Sequence, residues 1–250
     1  MKFAGKVAIV TGGSRDIGRA VCVKLGSEGA SVVVNYNNNQ ADADATVAAV
    51  EAAGGKAIAV KADVTKQADV TALIAAAQAA YGDTIHVVVN NAGGLVARKT
   101  LAEMDEEFWN HVMQLNVTST FMVTQAAAPS MGEGGAIVNL ASLAGRDGGG
   151  GGAIAYATSK GAVMTMTRGL AKELGAKGVR VNSLCPGMIA TKFHDDFTPD
   201  AVRENVANST ALKRQGRPEE TADLVAYLAS DEASYITGAN YDINGGLAFS

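Results

Sequence analysis

The 250 residues carry 21 basic and 25 acidic side chains, a net charge of −4 that does not favour a nucleic-acid-binding surface. The length suits one large α/β domain or two small ones, and the 48% of hydrophobic residues suffice for a substantial core. Only two cysteines occur, Cys22 and Cys185, and we expect both to be buried and reduced rather than joined in a disulfide.

Short β-branched runs alternate with longer alanine-rich amphipathic stretches along the chain. Strands are predicted at Lys6–Thr11, Ser31–Tyr36, Ala57–Lys61, His86–Asn90, Gly135–Leu140, Arg180–Cys185 and Asn240–Ile243, and helices at Ile17–Glu28, Ala41–Ala53, Gln67–Tyr81, Glu106–Pro129, Ala153–Lys177 and Pro218–Ser230. Several of these strands are apolar throughout, which is typical of a parallel sheet covered on both faces. Repeated βα units with right-handed crossovers therefore predict an α/β fold, with a doubly wound sheet in one domain of residues 1–250.

One stretch, Ile189–Gln215, interrupts the alternation. It follows the end of a predicted strand, which is where open α/β sheets bind ligands. Long connections in compact domains are usually functional, so we interpret it as a substrate lid. The alternative is an ordinary surface excursion.

We recognise no targeting signal in the sequence. The apolar run Val7–Val10 is too short for a secretory signal, and no apolar run approaches the ~18 residues of a membrane span. We therefore expect a cytoplasmic protein with no membrane or nucleic-acid partner.

A glycine-rich turn, Thr11–Gly18, links the first predicted strand to the first helix. Glycines at such a place allow a tight turn and close approach of the backbone to a pyrophosphate, which the helix N-terminus then favours electrostatically. The turn predicts a dinucleotide site.

The next strand end indicates which dinucleotide binds. NAD sites usually place Asp or Glu about 20 residues after the turn, to bind the ribose 2′-hydroxyl. Here the chain reads Asn35-Tyr36-Asn37-Asn38-Asn39, with no carboxylate before Asp42. A 2′-phosphate would meet no repulsion there, and Arg15 would donate to it, so we predict NADP(H) over NAD(H). The alternative makes Arg15 a solvated turn residue.

Tyr156 and Lys160 lie four residues apart, so a helix would place both on one face. A cation held beside a phenol stabilises the phenolate and lowers the tyrosine pKa, which would make Tyr156 a usable acid and base near neutral pH. Ser142 lies 14 positions upstream (156 − 142). The spacing alone is common, and its weight comes from the motifs around it.

The set resembles the short-chain dehydrogenase/reductase family over nearly the whole chain, most closely its 3-oxoacyl-carrier-protein reductases and the related sugar and polyol dehydrogenases. The matching motifs are the glycine turn, Asp63-Val64, Asn90-Asn91-Ala92-Gly93, Asn116, Ser142, Tyr156 with Lys160, and Pro186-Gly187. The resemblance implies a single-domain Rossmann fold with a seven-stranded sheet, and the family's usual homotetramer.

The resemblance also implies roles. Tyr156 would protonate the carbonyl oxygen, Ser142 would hydrogen-bond that oxygen, and Lys160 would bind the nicotinamide ribose and lower the Tyr156 pKa. Asn116 would fix a helix distortion and a water molecule that links Lys160 to solvent. Ser142 could instead merely end a strand, and Asn116 could cap or pack within its helix.

Cofactor contacts are implied for a longer set. These residues are Gly12, Ser14, Arg15, Asp16, Ile17, Gly18, Asn35, Tyr36, Asn37, Asp63, Val64, Asn90, Ala92, Gly93, Tyr156, Lys160, Pro186, Gly187, Ile189 and Thr191. Within it, Asp63 and Val64 would meet the adenine and Asn90 the adenosine ribose region. Ile189 and Thr191 would meet the carboxamide.

Two positions depart from the family pattern. Asp16 stands where the family usually has glycine; Asp tolerates left-handed backbone better than most residues, so we expect the turn to survive and cofactor binding to persist. The loop Gly145–Gly152 makes the step from Ser142 to Tyr156 about one residue longer than usual. Its five successive glycines can absorb that residue, and the loop either shapes the substrate pocket or is slack chain.

The substrate is less constrained. A carrier-protein reductase should carry basic residues near the site entrance, to hold an acidic carrier protein. Much of that charge lies between the central long helix and the fifth strand, yet the corresponding residues 125–136 contain no Lys or Arg. We therefore prefer a small polar carbonyl compound, such as a sugar, uronate or keto acid, with 3-oxoacyl-[acyl-carrier-protein] reduction as the alternative. The side chains that could meet a carboxylate are Arg98, Lys99, Lys192, His194 and Lys213, although each is also readable as a solvated surface group.

Two further hypotheses belong to other classes. The sequence His194-Asp195-Asp196 lacks the additional ligands of a metal centre, so we predict no metal. A non-catalytic NADP-binding sensor or scaffold would need no acid/base set, and the presence of Tyr156 and Lys160 disfavours it.

Overall fold

The computed structural model describes residues 1–249. Seven strands form its sheet: β1 (Val7–Val10), β2 (Ser31–Tyr36), β3 (Lys56–Lys61), β4 (Val87–Asn90), β5 (Ala136–Leu140), β6 (Arg180–Pro186) and β7 (Asn240–Ile243). The helices are α1 (Asp16–Ser27), α2 (Gln40–Ala52), α3 (Gln67–Tyr81), α4 (Glu106–Met113), α5 (Ser119–Ala127), α6 (Ala144–Asp147), α7 (Ile154–Leu174), α8 (Lys192–Phe197), α9 (Asp200–Ser209) and α10 (Pro218–Ala229).

The strands pair in the order β3-β2-β1-β4-β5-β6-β7, and every pairing is parallel. The predicted doubly wound parallel sheet is therefore confirmed. The order reverses between β1 and β4, which is the switch point at which such sheets bind ligands beyond their carboxyl ends.

The core lies on both faces of this sheet, because successive strand residues point to opposite sides. On one face Val10 packs with residues of α1, α2 and α10. On the other face Ile9 packs with residues of α3, α5 and α7. Burial on both faces explains why these strands are apolar throughout rather than alternating.

The structure corrects the predicted helix Glu106–Pro129. A π-helical turn at Gln114–Thr118 separates α4 from α5, and the last residues, Ala128–Ser130, form a 3₁₀ turn. Asn116 lies in the π-helical turn, so the helix distortion implied by the family resemblance is present.

The excursion at residues 189–215 contains two helices, α8 and α9. A single parallel bridge between Ile189 and Gly216 joins its two ends. Within residues 1–249, no helix combines the length and the apolar character needed to cross a bilayer.

Candidate active site

A cavity of about 650 Å³ opens at the carboxyl ends of the central strands. One end is lined by the glycine turn with Arg15, Asn37 and Asn38, and the other by Ser142, Tyr156, Lys160 and residues of α8. The glycine turn and the Ser142, Tyr156 and Lys160 set, which are far apart in the sequence, thus line one continuous cavity.

The glycine turn forms a cradle that larger residues would fill. A Cβ atom on Gly18 would overlap the Gly12 carbonyl oxygen and lie 2.7 Å from Nδ2 of Asn91. That Nδ2 donates to the carbonyl oxygens of Thr11 (2.9 Å) and Gly12 (3.0 Å). Because glycine has no side chain, the turn packs this closely and its backbone stays open to the cavity. An open backbone of this kind fits the pyrophosphate of a dinucleotide.

The three side chains expected to act on a carbonyl converge at the other end. Tyr156 and Lys160 both belong to α7, and Nζ of Lys160 lies 5.7 Å from the centre of the Tyr156 ring. The same ammonium donates to the Leu140 carbonyl oxygen at 2.7 Å. Ser142 follows β5, accepts from the Ala144 amide at 3.1 Å, and lines the cavity together with Tyr156.

The predicted lowering of the Tyr156 pKa is wrong for this structure. Burial raises the pKa of Tyr156, and the hydrogen bond with Ser142 opposes this only in part. The Lys160 ammonium lies 5.7 Å from the ring centre and donates to the Leu140 carbonyl oxygen rather than to the phenol. Burial also lowers the pKa of Lys160 to about 8, with a weaker opposite effect from Cys185. The Tyr156 phenol therefore keeps its proton at neutral pH.

Asn116 does not line the cavity, but it holds in place the backbone segment that packs against Lys160. Its side chain donates to the Gly94 carbonyl oxygen (3.0 Å) and accepts from the Gly94 amide (2.9 Å). A Cβ atom on Gly93 would lie 2.5 Å from Oδ1 of Asn116 and 3.2 Å from Nζ of Lys160. The π-helical turn thus fixes the segment after β4 directly against the lysine.

Asp16 keeps the turn intact, as expected, because it adopts the left-handed backbone that glycine would take (φ 51°). Two groups offset its charge. Nε of Arg15 lies 3.8 Å from its carboxylate, and the Lys192 amide at the start of α8 donates to Oδ1 at 3.1 Å.

Most of the predicted cofactor residues line the cavity, as do Ser142, Tyr156 and Lys160. Those that do not are Asn35, Tyr36, Asp63, Val64 and Asn90. Their side chains have other partners or are buried. The side-chain oxygen of Asn35 accepts a hydrogen bond from the backbone amide of Gly12 (3.2 Å), and its side-chain nitrogen donates to backbone carbonyls at the ends of β2 and β3. Asn35 thus stabilises the glycine turn without lining the cavity.

The implied contacts of Asn90 and Asp63 with the adenosine stay predictions, and the side chains of both residues have partners within the protein. Nδ2 of Asn90 donates to Thr124 (3.0 Å) and Asn139 (2.8 Å) inside the core. The Asp63 carboxylate accepts from the Thr65 amide and hydroxyl, which holds the pKa of Asp63 below its usual range.

Of the five cations predicted to meet a carboxylate, Arg98 and His194 line the cavity. Arg98 donates to the carbonyl oxygens of Phe197 (3.1 Å) and Gly151 (2.8 Å). Burial, with Arg203 and Arg98 nearby, lowers the pKa of His194 to about 4, so its imidazole is neutral at pH 7. The remaining three, Lys99, Lys192 and Lys213, bind Asp105, Asp196 and the Asn208 carbonyl instead.

Sequence reasoning missed several cavity residues, chiefly Asn91, Leu95, Phe193 and Phe197. Asn91 belongs to the motif that drew attention to Asn90, and its neighbour was singled out instead. No pattern marks the two phenylalanines, since their helix is only six residues long. Within residues 1–249, no three His, Cys, Asp or Glu side chains are grouped as metal ligands would be.

Comparisons with known proteins agree with this geometry. A family model described as enoyl-(acyl carrier protein) reductase matches residues 12–248. The 3-oxoacyl-[acyl-carrier-protein] reductase of Synechocystis sp. is 41% identical over 98% of each chain.

Two solved structures superpose on the whole chain at 37% identity, and each is covered completely. A short-chain dehydrogenase/reductase from Serratia marcescens matches with a TM-score of 0.93. A blue fluorescent protein from a metagenomic library, solved in complex with NADPH, matches with a TM-score of 0.92.

Proposed function

The chain belongs to the short-chain dehydrogenase/reductase family, and we propose that it is an NADPH-dependent reductase that interconverts a carbonyl and an alcohol. The observation that carries the proposal is the convergence of Ser142, Tyr156 and Lys160 at one end of a cavity whose other end is a glycine cradle.

A bound nicotinamide cofactor would supply or take up the hydride. Tyr156 donates its phenolic proton to the carbonyl oxygen of the substrate, and its raised pKa keeps that proton available at neutral pH. Ser142, which lines the cavity beside Tyr156, stabilises the charge that develops on the same oxygen. The Lys160 ammonium, held by the Leu140 carbonyl, is a nearby cation that favours the phenolate left after transfer.

The preference for NADPH rests on the far end of the cavity. The Arg15 side chain is 51% exposed and lies with Asn37 and Asn38 along that wall. Asp42, the first carboxylate after β2, does not line the cavity and instead bonds Asn39 at the start of α2. A 2′-phosphate would therefore meet a guanidinium and two amides. The NADPH complex of a 37% identical protein is consistent with this preference.

The excursion at residues 189–215 serves as the substrate lid in this proposal. Phe193 of α8 packs beside Tyr156, with ring centres 5.8 Å apart and ring planes inclined by 40°, so the lid borders the proposed proton donor. The sequence predicts a small polar substrate, and the acidic members of that class, the uronates and keto acids, would need a free cation. The hydrogen-bond partners of the five candidate side chains do not favour an acidic substrate.

A second candidate function is 3-oxoacyl-[acyl-carrier-protein] reduction, which the 41% identical relative favours. We also propose a cytoplasmic homotetramer, as is usual in the family. Phe121 of α5 is 45% exposed, which suits a subunit contact on that helix.

NADPH and NADH consumption by the purified protein tests the proposal. Acetoacetyl thioester would be set against a panel of aryl, alkyl, sugar, uronate and keto-acid carbonyl compounds. We expect NADPH-dependent turnover of at least one carbonyl compound. Failure of the whole panel would contradict carbonyl reduction, and dominance of the thioester would establish the second candidate.

A further inference from the structure

We propose that the substrate is an uncharged ketone or aldehyde with an aromatic ring next to its carbonyl group. The inference rests on the proposed function and concerns the end of the cavity around Tyr156, which we call the outer chamber. We define it by six of the apolar side chains that line the cavity: Leu95, Leu143, Met188, Phe193, Phe197 and Val206.

Aromatic rings form one wall of this chamber. The Phe193 ring lies 5.8 Å from Tyr156, 5.4 Å from Phe197 and 5.1 Å from His194, centre to centre, and none of these pairs is parallel. Tilted and edge-to-face pairs of this kind are the arrangements that aromatic rings prefer. Both phenylalanines are only half-buried, so a further ring would complete the cluster at the position where the carbonyl must reach Tyr156.

The charged side chains of the chamber already have partners. Nε and Nη1 of Arg98 donate to two backbone carbonyls. Asp147 accepts from the Gly149 amide at 2.8 Å, and Asp196 pairs with Lys192 at 2.9 Å. A carboxylate substrate would meet the negative charges of Asp147 and Asp196, and Arg98 would offer it only the nitrogen Nη2.

His194 adds no charge either. Its Nδ1 lies 3.0 Å from the Thr198 hydroxyl, and Arg98 and Arg203 both disfavour a proton on the ring. The six apolar side chains offer no hydrogen-bond partner to the hydroxyl groups of a sugar, and burying such groups unpaired is costly. An aryl ketone needs only the two hydrogen bonds that Ser142 and Tyr156 supply.

Three neutral ketones and one acid test the inference on the full-length protein with NADPH: acetophenone, cyclohexyl methyl ketone, butanone and pyruvate. We expect kcat/KM to fall in that order, with acetophenone at least tenfold above pyruvate. Pyruvate, a sugar or acetoacetyl thioester giving the highest kcat/KM would overturn the inference and leave carbonyl reduction intact. Failure of every carbonyl compound would instead contradict the proposed function itself.

Variants separate recognition from packing. Phe193→Ala should lower kcat/KM for acetophenone about tenfold or more and for butanone less than threefold, because only the aryl substrate uses the ring. Phe193→Leu should retain an apolar wall and favour the cyclohexyl ketone over the phenyl ketone. Leu212→Ala is the matched control, since Leu212 lies in the same excursion, is 63% exposed and does not line the cavity. Equal losses for acetophenone and butanone in Phe193→Ala would overturn the inference.

Competition in the unaltered protein gives an independent readout. 1-Phenylethanol should inhibit butanone reduction at a concentration at least threefold lower than 1-cyclohexylethanol. Equal inhibition by the two alcohols would show that the chamber does not select an aromatic ring.

Discussion

Oδ1 of Asp16 accepts a hydrogen bond from the Lys192 amide at 3.1 Å, across 176 residues of sequence. The bond joins the glycine turn to the first residue of α8. One carboxylate therefore touches both the cofactor end of the cavity and the segment that covers Tyr156.

Asp16→Gly should leave NADPH binding intact and loosen α8. The change removes a negative charge near the cofactor phosphates and relieves positive φ at a non-glycine residue, so we expect the dissociation constant to stay within about threefold or to tighten. Hydrogen exchange in residues 189–197 should become faster, because the Lys192 amide loses its acceptor. Asp16→Asn keeps an acceptor oxygen and is the control. Loss of NADPH binding in Asp16→Gly would show that the carboxylate supports the cofactor site instead.

Arg15→Ala should weaken NADPH much more than NADH. A charge-assisted contact with the 2′-phosphate is worth about 1.5–3 kcal/mol, or about ten- to hundredfold in affinity. NADH affinity should change less than about threefold. Arg168→Ala, an exposed arginine on α7 that does not line the cavity, is the control. Fluorescence titration of both cofactors measures the effect, and equal losses would contradict the assignment.

The pH dependence of reduction should follow Lys160. Burial lowers its pKa from 10.5 to about 8, so the ammonium is present below that pH and is lost as the pH rises through it. Tyr156 keeps its proton over the same range, because its pKa is raised. We therefore expect kcat/KM for carbonyl reduction to be level from about pH 6 and to fall above about pH 8.

NMR of the lysine Cε resonances identifies the group whose titration causes that fall in kcat/KM. Lys160 should titrate near pH 8, and Lys160→Met should remove that one resonance. A reduction profile that stays level to about pH 10 would contradict the role given to this ammonium.

Asn116→Ala should lower both stability and kcat. The change leaves the Gly94 amide and carbonyl without their side-chain partner, which costs about 1–3 kcal/mol for such buried groups. Because the segment after β4 packs against Lys160, kcat should fall more than the affinity for NADPH. Urea unfolding and steady-state kinetics measure the two effects. Asp44→Ala, at an exposed position of α2 away from the cavity, should change neither; an Asn116→Ala protein with unchanged kcat would refute a positioning role.

Local pattern was sufficient to predict the sheet and much of the site. Apolar runs predicted the parallel strands, and a four-residue spacing placed Tyr156 and Lys160 on one face of α7. Both depend on residues close together in the chain. The NADPH preference and the roles of the catalytic side chains remain predictions.

The sequence did not reveal features that depend on distant residues. The π-helical turn forms where Asn116 bonds Gly94, 22 residues earlier, and only the family resemblance, not the local pattern, implied a distortion there. The raised pKa of Tyr156 depends on burial by elements that include α8, so the spacing to Lys160 alone predicted the opposite direction. The aromatic wall is formed by a short helix without a periodic pattern.

Tyr156→Phe tests the central claim most directly, in a single experiment that follows NADPH consumption with an accepted ketone and NADPH binding by fluorescence. The variant removes the phenolic proton and keeps the ring that packs against Phe193. We predict that turnover falls at least about a hundredfold, in line with the contribution of general acid catalysis, and that NADPH binding is kept within about threefold. Turnover that survives the change would contradict Tyr156 as the proton donor.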